Sequence, residues 1–133
     1  MLIHQEAVIS ARPDAVYDAL TDGEKFAAAT GMPAQIEARE GATFSLFAGR
    51  IEGRQVELVP DRLIVQAWRF GAAHPSPWEQ GVYSVVRFAL TGEEGGTRLV
   101  IDHSGVPAEW HDHIAGGYPD FYQGPLQRYF ASS

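Results

Sequence analysis

Gly49-Arg50-Ile51-Glu52-Gly53-Arg54-Gln55-Val56-Glu57-Leu58-Val59-Pro60-Asp61-Arg62-Leu63-Ile64-Val65-Gln66-Ala67-Trp68-Arg69 reads as two strands joined by a tight turn. Proline cannot donate to a ladder, so Pro60 closes the first strand and Asp61 helps to make the turn; the β-branched and aromatic run from Ile64 to Trp68 opens the second. Within the first strand the apolar parity slips, with Ile51 on one phase and Val56 and Leu58 on the other. That slip predicts a bulge near Gly53 and a bend in the sheet. Arg50, Arg54, Arg62 and Arg69 punctuate the hairpin without forming a basic run, the pattern of solvated strand-edge charges.

Working outward, Leu2 to Ile9 reads as a strand, and Pro13 pre-sets the first turn of a helix in which Val16 and Leu20 share a face. Thr21-Asp22-Gly23-Glu24 has capping-box spacing and predicts a second short helix through Phe26. Further strands are expected near Ile36 and over Phe44 to Phe47, Tyr83 to Leu90 and Arg98 to His103. Gly92, Gly95 and Gly96 around Glu93-Glu94 suit a hairpin loop rather than a phosphate cradle, because no helix follows. Alternation turns Val86, Phe88, Leu90, Leu99, Ile101 and His103 inward. From Pro107 to Phe130 the spacing becomes helical. Gly116-Gly117, Pro119 and Gly124-Pro125 interrupt that stretch, which predicts a broken or kinked helix.

Val16-Tyr17-Asp18-Ala19-Leu20-Thr21-Asp22, the glycine-flanked hairpin above, Trp78, Gly81-Val82-Tyr83, Gly96-Thr97-Arg98-Leu99, His103-Ser104-Gly105-Val106-Pro107 and Gly117-Tyr118 follow one another in this order. That succession resembles the Hsp90 ATPase activator homologue family, within the START and Bet v 1-like (SRPBCC) superfamily. The resemblance implies an α+β helix-grip fold: a curved antiparallel β-sheet wrapped around a long, kinked C-terminal helix, with two short helices after the first strand and a cavity between sheet and helix. Where family members usually carry Gly-Trp and then Tyr-Trp near this helix, the chain has Gly117-Tyr118 and Tyr122-Gln123. Eukaryotic activators also carry a separate N-terminal domain, for which this chain is expected to have no room.

Composition bounds the remaining possibilities. The 133 residues, 45% of them hydrophobic, are expected to form one domain over 1–133 with a sizeable core. A formal charge of −7 argues against nucleic-acid and anionic-membrane partners, both of which need a concentrated basic surface. There is no cysteine, hence no disulfide or thiolate chemistry. Met1-Leu2-Ile3-His4-Gln5-Glu6 lacks the basic region of a signal peptide, so a cytoplasmic location is expected.

Phe44, Phe47, Trp68, Phe70, Trp78, Phe88, Trp110, Tyr118, Phe121 and Tyr122 are the candidate lining of a cavity for a small apolar ligand, with His103 and Gln5 as polar groups that could orient it. The same aromatics would serve as plain core filling. The resemblance implies a second reading, a protein-interaction module for an Hsp90-type chaperone, and the aromatic tail and an edge strand could support a homodimer. His103, His111, Asp112 and His113 are the candidate acid-base groups, but no nucleophile motif accompanies them, so no catalytic residue is assigned. On a helix His111 and His113 would lie roughly 200° apart and could not converge on one ion, and neither metal nor cofactor is expected. Gly71 to Pro77 is expected to be a lid or a plain connector, and Arg69 and Arg87 to be surface ion-pair partners.

Overall fold

The structure, a computed structural model, describes residues 2–76 and 78–131. Strand β1 (Ile3–Ile9) leads into helices α1 (Pro13–Thr21) and α2 (Gly23–Thr30). Strands β2 (Thr43–Leu46), β3 (Ile51–Val59), β4 (Leu63–Phe70), β5 (Ser84–Glu93) and β6 (Gly96–Ser104) follow. They form one antiparallel sheet in the order β1-β6-β5-β4-β3-β2, so that the first strand closes against the last and β2 lies at the far edge. A 3-10 turn (Ala108–Trp110) introduces α3 (His111–Tyr118), a π-helical turn (Pro119–Gln123) and α4 (Gly124–Ala131), which together make the long, interrupted C-terminal helix. No helix among the described residues is long and apolar enough to cross a membrane.

The inward parity read from β5 and β6 holds. Val86, Phe88 and Leu90, and Leu99, Ile101 and His103, are all buried against the helices. At roughly 25 cal/mol for each square ångström of apolar surface, burial of that shared face stabilises the fold. The hairpin loop stands where expected, at the Glu93–Gly96 end of the β5–β6 ladder.

Three local expectations are corrected. The stretch near Ile36 forms no strand, only a single bridge between Gln35 and Ser45. Asp22, not Thr21, caps α2: its carboxylate accepts from the N–H groups of Glu24 and Lys25, while the Thr21 hydroxyl turns back into α1 to donate to the Tyr17 carbonyl. The side chain two residues before the first free N–H was the better acceptor because Thr21 is still helical. The bulge falls between Gln55 and Glu57, expelling Val56 to solvent, so Ile51, Gly53 and Gln55 keep one phase. Gln55 is buried and answers Gln66 across the ladder (3.1 Å), a polar pair that the apolar pattern could not flag.

Gly53 has a different role from a bulge. A Cβ there would overlap the Ala67 carbonyl oxygen and lie 2.7 Å from Phe44 Cζ, so β2, β3 and β4 approach this closely only over a bare backbone. The π turn has a similar requirement. Gly124 donates to the Pro119 carbonyl across five residues, and a Cβ on Gly124 would stand 2.6 Å from that oxygen. Proline and glycine thus set the interruption in the last helix, in line with the kink expected from the sequence.

Gly53→Ala is expected to lower the unfolding free energy by about 2 kcal/mol through overpacking, measured by urea denaturation with unchanged m.

Candidate functional site

The concave face of the sheet does not meet the last helix everywhere. Where β2 turns into β3 and β4 ends, a cavity of about 410 Å³ remains beneath Trp110 to Tyr122. Phe47, Ile51, Trp68 and Phe70 form its sheet side, Trp110, His113, Ile114, Gly117, Tyr118, Phe121 and Tyr122 its helix side, and Arg50, His74, Pro75 and Ser76 its rim. The segment expected as lid or connector therefore supplies a wall. His74 stacks on Phe70 with ring centroids 3.8 Å apart and planes 11° from parallel, and accepts at Nδ1 from the Ser76 N–H (2.9 Å).

Of the aromatic candidates, Phe47, Trp68, Phe70, Trp110, Tyr118, Phe121 and Tyr122 are at this cavity. Phe44, Trp78 and Phe88 are not part of its lining. Phe44 covers Gly53, Trp78 backs Trp68 and Phe70 at 5.8 and 5.0 Å, and Phe88 packs on Tyr122 at 5.6 Å. Arg50, Ile51, Ile114 and Gly117 stand outside the expected lining, His113 was expected only as an acid-base group, and His74, Pro75 and Ser76 fall in the stretch expected as lid or connector. Helical spacing puts Ile114 on the face of Trp110, and carried one turn further it reaches Gly117, beside Tyr118 and Phe121. Arg50 carries no such signal, because it reaches the rim from the turn between β2 and β3.

Phe47 reaches the cavity through an unusual turn. Phe47, Ala48 and Gly49 all have positive φ, at 54°, 58° and 86°. For the two non-glycine residues this costs about 1–2 kcal/mol each. The packing of the Phe47 ring edge-on against Phe26, Phe121 and Tyr122 offsets that strain.

His103 lies behind the cavity rather than in it, fully buried, with its ring edge-on to Trp68 at 4.7 Å. Ser84 Oγ donates to the Trp68 carbonyl (3.0 Å), so it must accept from His103 Nε2–H (2.6 Å). Nδ1 then accepts from the Tyr118 hydroxyl (2.7 Å), which ties α3 to β6. Every proton in this chain is used, and the imidazole has no room for a second one. Burial accordingly lowers its pKa to about 4. Tyr122 is buried too, which pushes its hydroxyl up; the Trp68 indole N–H opposite it is the opposing influence, at less than ideal hydrogen-bond geometry.

Gln5, expected as a polar group that could orient a ligand, ties β1 to the last helix. Its Nε2 donates to the Ala115 carbonyl (3.4 Å) and its Oε1 accepts from Gln123 (3.3 Å). The amide at 123, in the place where the resemblance led one to expect tryptophan, is thus used in the seam between helix and sheet.

Arg69 corrects another expectation. Instead of a surface ion pair, its guanidinium is buried and donates to the carbonyls of Trp78 (2.8 Å), Val82 (3.3 Å) and Phe70 (3.3 Å), with Glu52 at 3.8 Å and the Tyr83 ring 5.3 Å away. This fork fastens the connection between β4 and β5, including the cavity wall, to the sheet. Arg87 is exposed and makes no ion pair among the described residues. His111 contacts Asp112 at 3.3 Å, while His113 faces the cavity; no three His, Cys, Asp or Glu side chains gather as a metal set among the described residues.

A six-stranded antiparallel sheet gripping an interrupted C-terminal helix defines a START/Bet v 1-like domain. Within that class the chain belongs to the activator of Hsp90 ATPase homolog 1-like protein family, whose profile matches residues 10–131. The activator of 90 kDa heat shock protein ATPase homolog 1 of Homo sapiens is 29% identical over 110 residues, covering 83% of this chain and 31% of that protein. An uncharacterized protein of Schizosaccharomyces pombe is 28% identical over 128 residues, 96% of this chain and 37% of that one. The chain thus spans about a third of the length of these curated relatives. Among solved structures, an HSP90 activator from Plasmodium falciparum superposes with a TM-score of 0.86 at 22% identity, covering 98% of this chain and 96% of that one. An Aha1 dimer from Colwellia psychrerythraea gives 0.77 at 19% identity over 98% and 96%. At these identities the likeness is one of fold.

Two outcomes follow from the buried polar groups. The unfolded chain protonates His103 near pH 6.5 and the folded chain only near 4, so the unfolded state binds more protons between them and stability falls as pH falls. The loss should approach about 3 kcal/mol at pH 4. His74 is shifted in the same direction and exposed His4 in the opposite one, so the comparison of wild type with His103→Gln in pH-dependent denaturation isolates the His103 contribution, which the variant should lack. Arg69→Ala should cost about 2–3 kcal/mol by stranding buried carbonyls, with proteolysis between residues 71 and 82 as the second readout.

Proposed function

We propose that this chain is a binding domain that holds a small apolar, ring-bearing ligand in the cavity between sheet and last helix, without covalent chemistry. The observation that carries this reading is the cavity itself. A chain that packs the rest of its core leaves about 410 Å³ surrounded by Phe47, Trp68, Phe70, Trp110, Phe121 and Tyr122, a size and character suited to such a ligand. The positive-φ turn that delivers Phe47 supports it, since strain of this kind gathers at functional sites. His103 supports the non-catalytic side of the reading, because both its nitrogens are engaged in a buried structural chain.

A second reading is favoured by the relatives' names. The family and its Hsp90-activator neighbours support a co-chaperone or binding role, and contact with an Hsp90-type chaperone is proposed alongside the ligand. Titrating the chain into the cognate chaperone's ATPase assay tests it; a turnover unchanged at saturation would remove it. A homodimer is proposed on the strength of the Colwellia neighbour and of the sheet edges that β1 and β2 present, with sedimentation velocity as its test.

For the cavity, the neutral fluorophore N-phenyl-1-naphthylamine should brighten on binding, quench Trp68 and Trp110, and raise the thermal midpoint. Gly117→Leu places a side chain into the space where only the Phe121 ring is near, at 3.5 Å. It should weaken the fluorophore at least about tenfold while leaving the fold as stable or more so, since leucine favours a helix over glycine. Absence of any signal with the wild-type chain would sink the reading.

A further inference from the structure

We propose that the ligand of this cavity is an acid, with its apolar body among the aromatic rings and a carboxylate or similar anionic group at the rim against Arg50, His74 and His113. The inference rests on the reading of the cavity as a ligand site and adds the charge of what enters it.

The first support is the sign of the lining. The chain carries 17 Asp and Glu against 10 Lys and Arg, yet among the described residues no Asp or Glu lines the cavity. Its ionisable residues other than tyrosine are Arg50, His74 and His113, all able to donate to an anion and none able to repel one. They come from three elements. Arg50 leaves the β2–β3 turn, His74 sits on the loop after β4, and His113 projects from α3. Their convergence is built by the fold: the Gly71 N–H donates to the Arg50 carbonyl (2.7 Å), and the His74 ring stands 6.4 Å from His113 while lying flat on Phe70. His113 is edge-on to Phe70 and Trp110 at 6.3 and 5.9 Å.

The second support is that no acid among the described residues answers these groups. Arg12, Arg39, Arg69 and Arg98 each face a carboxylate within 3.8 Å. Among the described residues Arg50 makes no ion pair. The neighbouring acids are directed elsewhere, Glu52 toward Arg69 and Asp112 toward His111. His74 shows the consequence: besides burial, the positive fields of His113 and Arg50 push its pKa down. Its Nδ1 accepts from the Ser76 N–H and so carries no proton, which leaves the ring proton on Nε2 as a donor. One fixed cation with imidazole donors beside an apolar hollow suits a monoanion with a hydrophobic body. The net charge of the chain works against such an acid elsewhere on its surface.

The test is isothermal titration calorimetry at pH 7 and low salt with 2-naphthylacetate and 2-naphthylacetamide, which share a body and differ in charge. The wild-type chain should bind the acid at least about tenfold more tightly than the amide. Arg50→Gln should cancel most of that preference and leave the amide within about twofold, Arg50→Lys should keep most of it, and His113→Gln should reduce it. Arg50 is exposed, and unchanged thermal midpoints would confirm that its variants fold. Equal binding of acid and amide by the wild type overturns the anionic ligand and leaves the cavity reading standing. A preference that survives Arg50→Gln overturns the seat at the rim. Failure of both probes to bind overturns the proposal together with the cavity reading.

Discussion

The last helix keeps its place because a histidine is buried without a charge. His103 donates a hydrogen bond to Ser84 and accepts one from Tyr118, so the sheet and α3 are joined through the interior rather than at the surface. Removal of either partner would leave a desolvated donor or acceptor, which is why the chain of bonds is an all-or-nothing arrangement. The helix seated by this contact also brings Gln123 to Gln5, Gln127 to the Val8 carbonyl, and Tyr122 onto Phe26 and Phe88.

The cavity is a consequence of where that seating stops. The helix changes from α to π at Pro119–Gln123, and the β2–β3 turn departs from ordinary strand geometry at Phe47 and Ala48. Between these two irregularities the surfaces do not interdigitate. Protein interiors tolerate few such gaps, and this one is held open by groups anchored from behind: Trp68 by Trp78 and His103, and the outer loop by Arg69. An opening that needs strain and buried polar contacts to exist is a feature of the fold rather than a packing fault.

Much of the architecture could be read along the chain. Alternation located the inward faces of β5 and β6, Pro60 marked the end of a strand, and the glycines and prolines after Ile114 marked the interruption of the last helix. The errors also share a cause. Ile51, Val56 and Leu58 alone place the slip near Gly53, whereas the bulge follows Gln55, a polar residue kept on the inward phase by its partner Gln66 across the ladder. A guanidinium is usually solvated, whereas that of Arg69 is buried and satisfied by the backbone carbonyls of Trp78 and Val82 in the connection that follows β4. In each case a partner lies on the next strand or connection, beyond the reach of a pattern read within one element.

The sequence by itself determined the strand and helix order, the apolar faces and the family, because hydrophobic period, turn chemistry and motif order are properties of neighbouring residues. It also supplied most of the aromatic side chains of the cavity. Only the tertiary structure decided which of them line the space and which merely support it, separating Phe47, Trp68 and Phe121 from Phe44, Trp78 and Phe88. It alone brought Arg50 and His74 of the rim together with His113 of the helix side, since a turn, a loop and a helix meet there by packing, and packing is fixed by the whole chain at once.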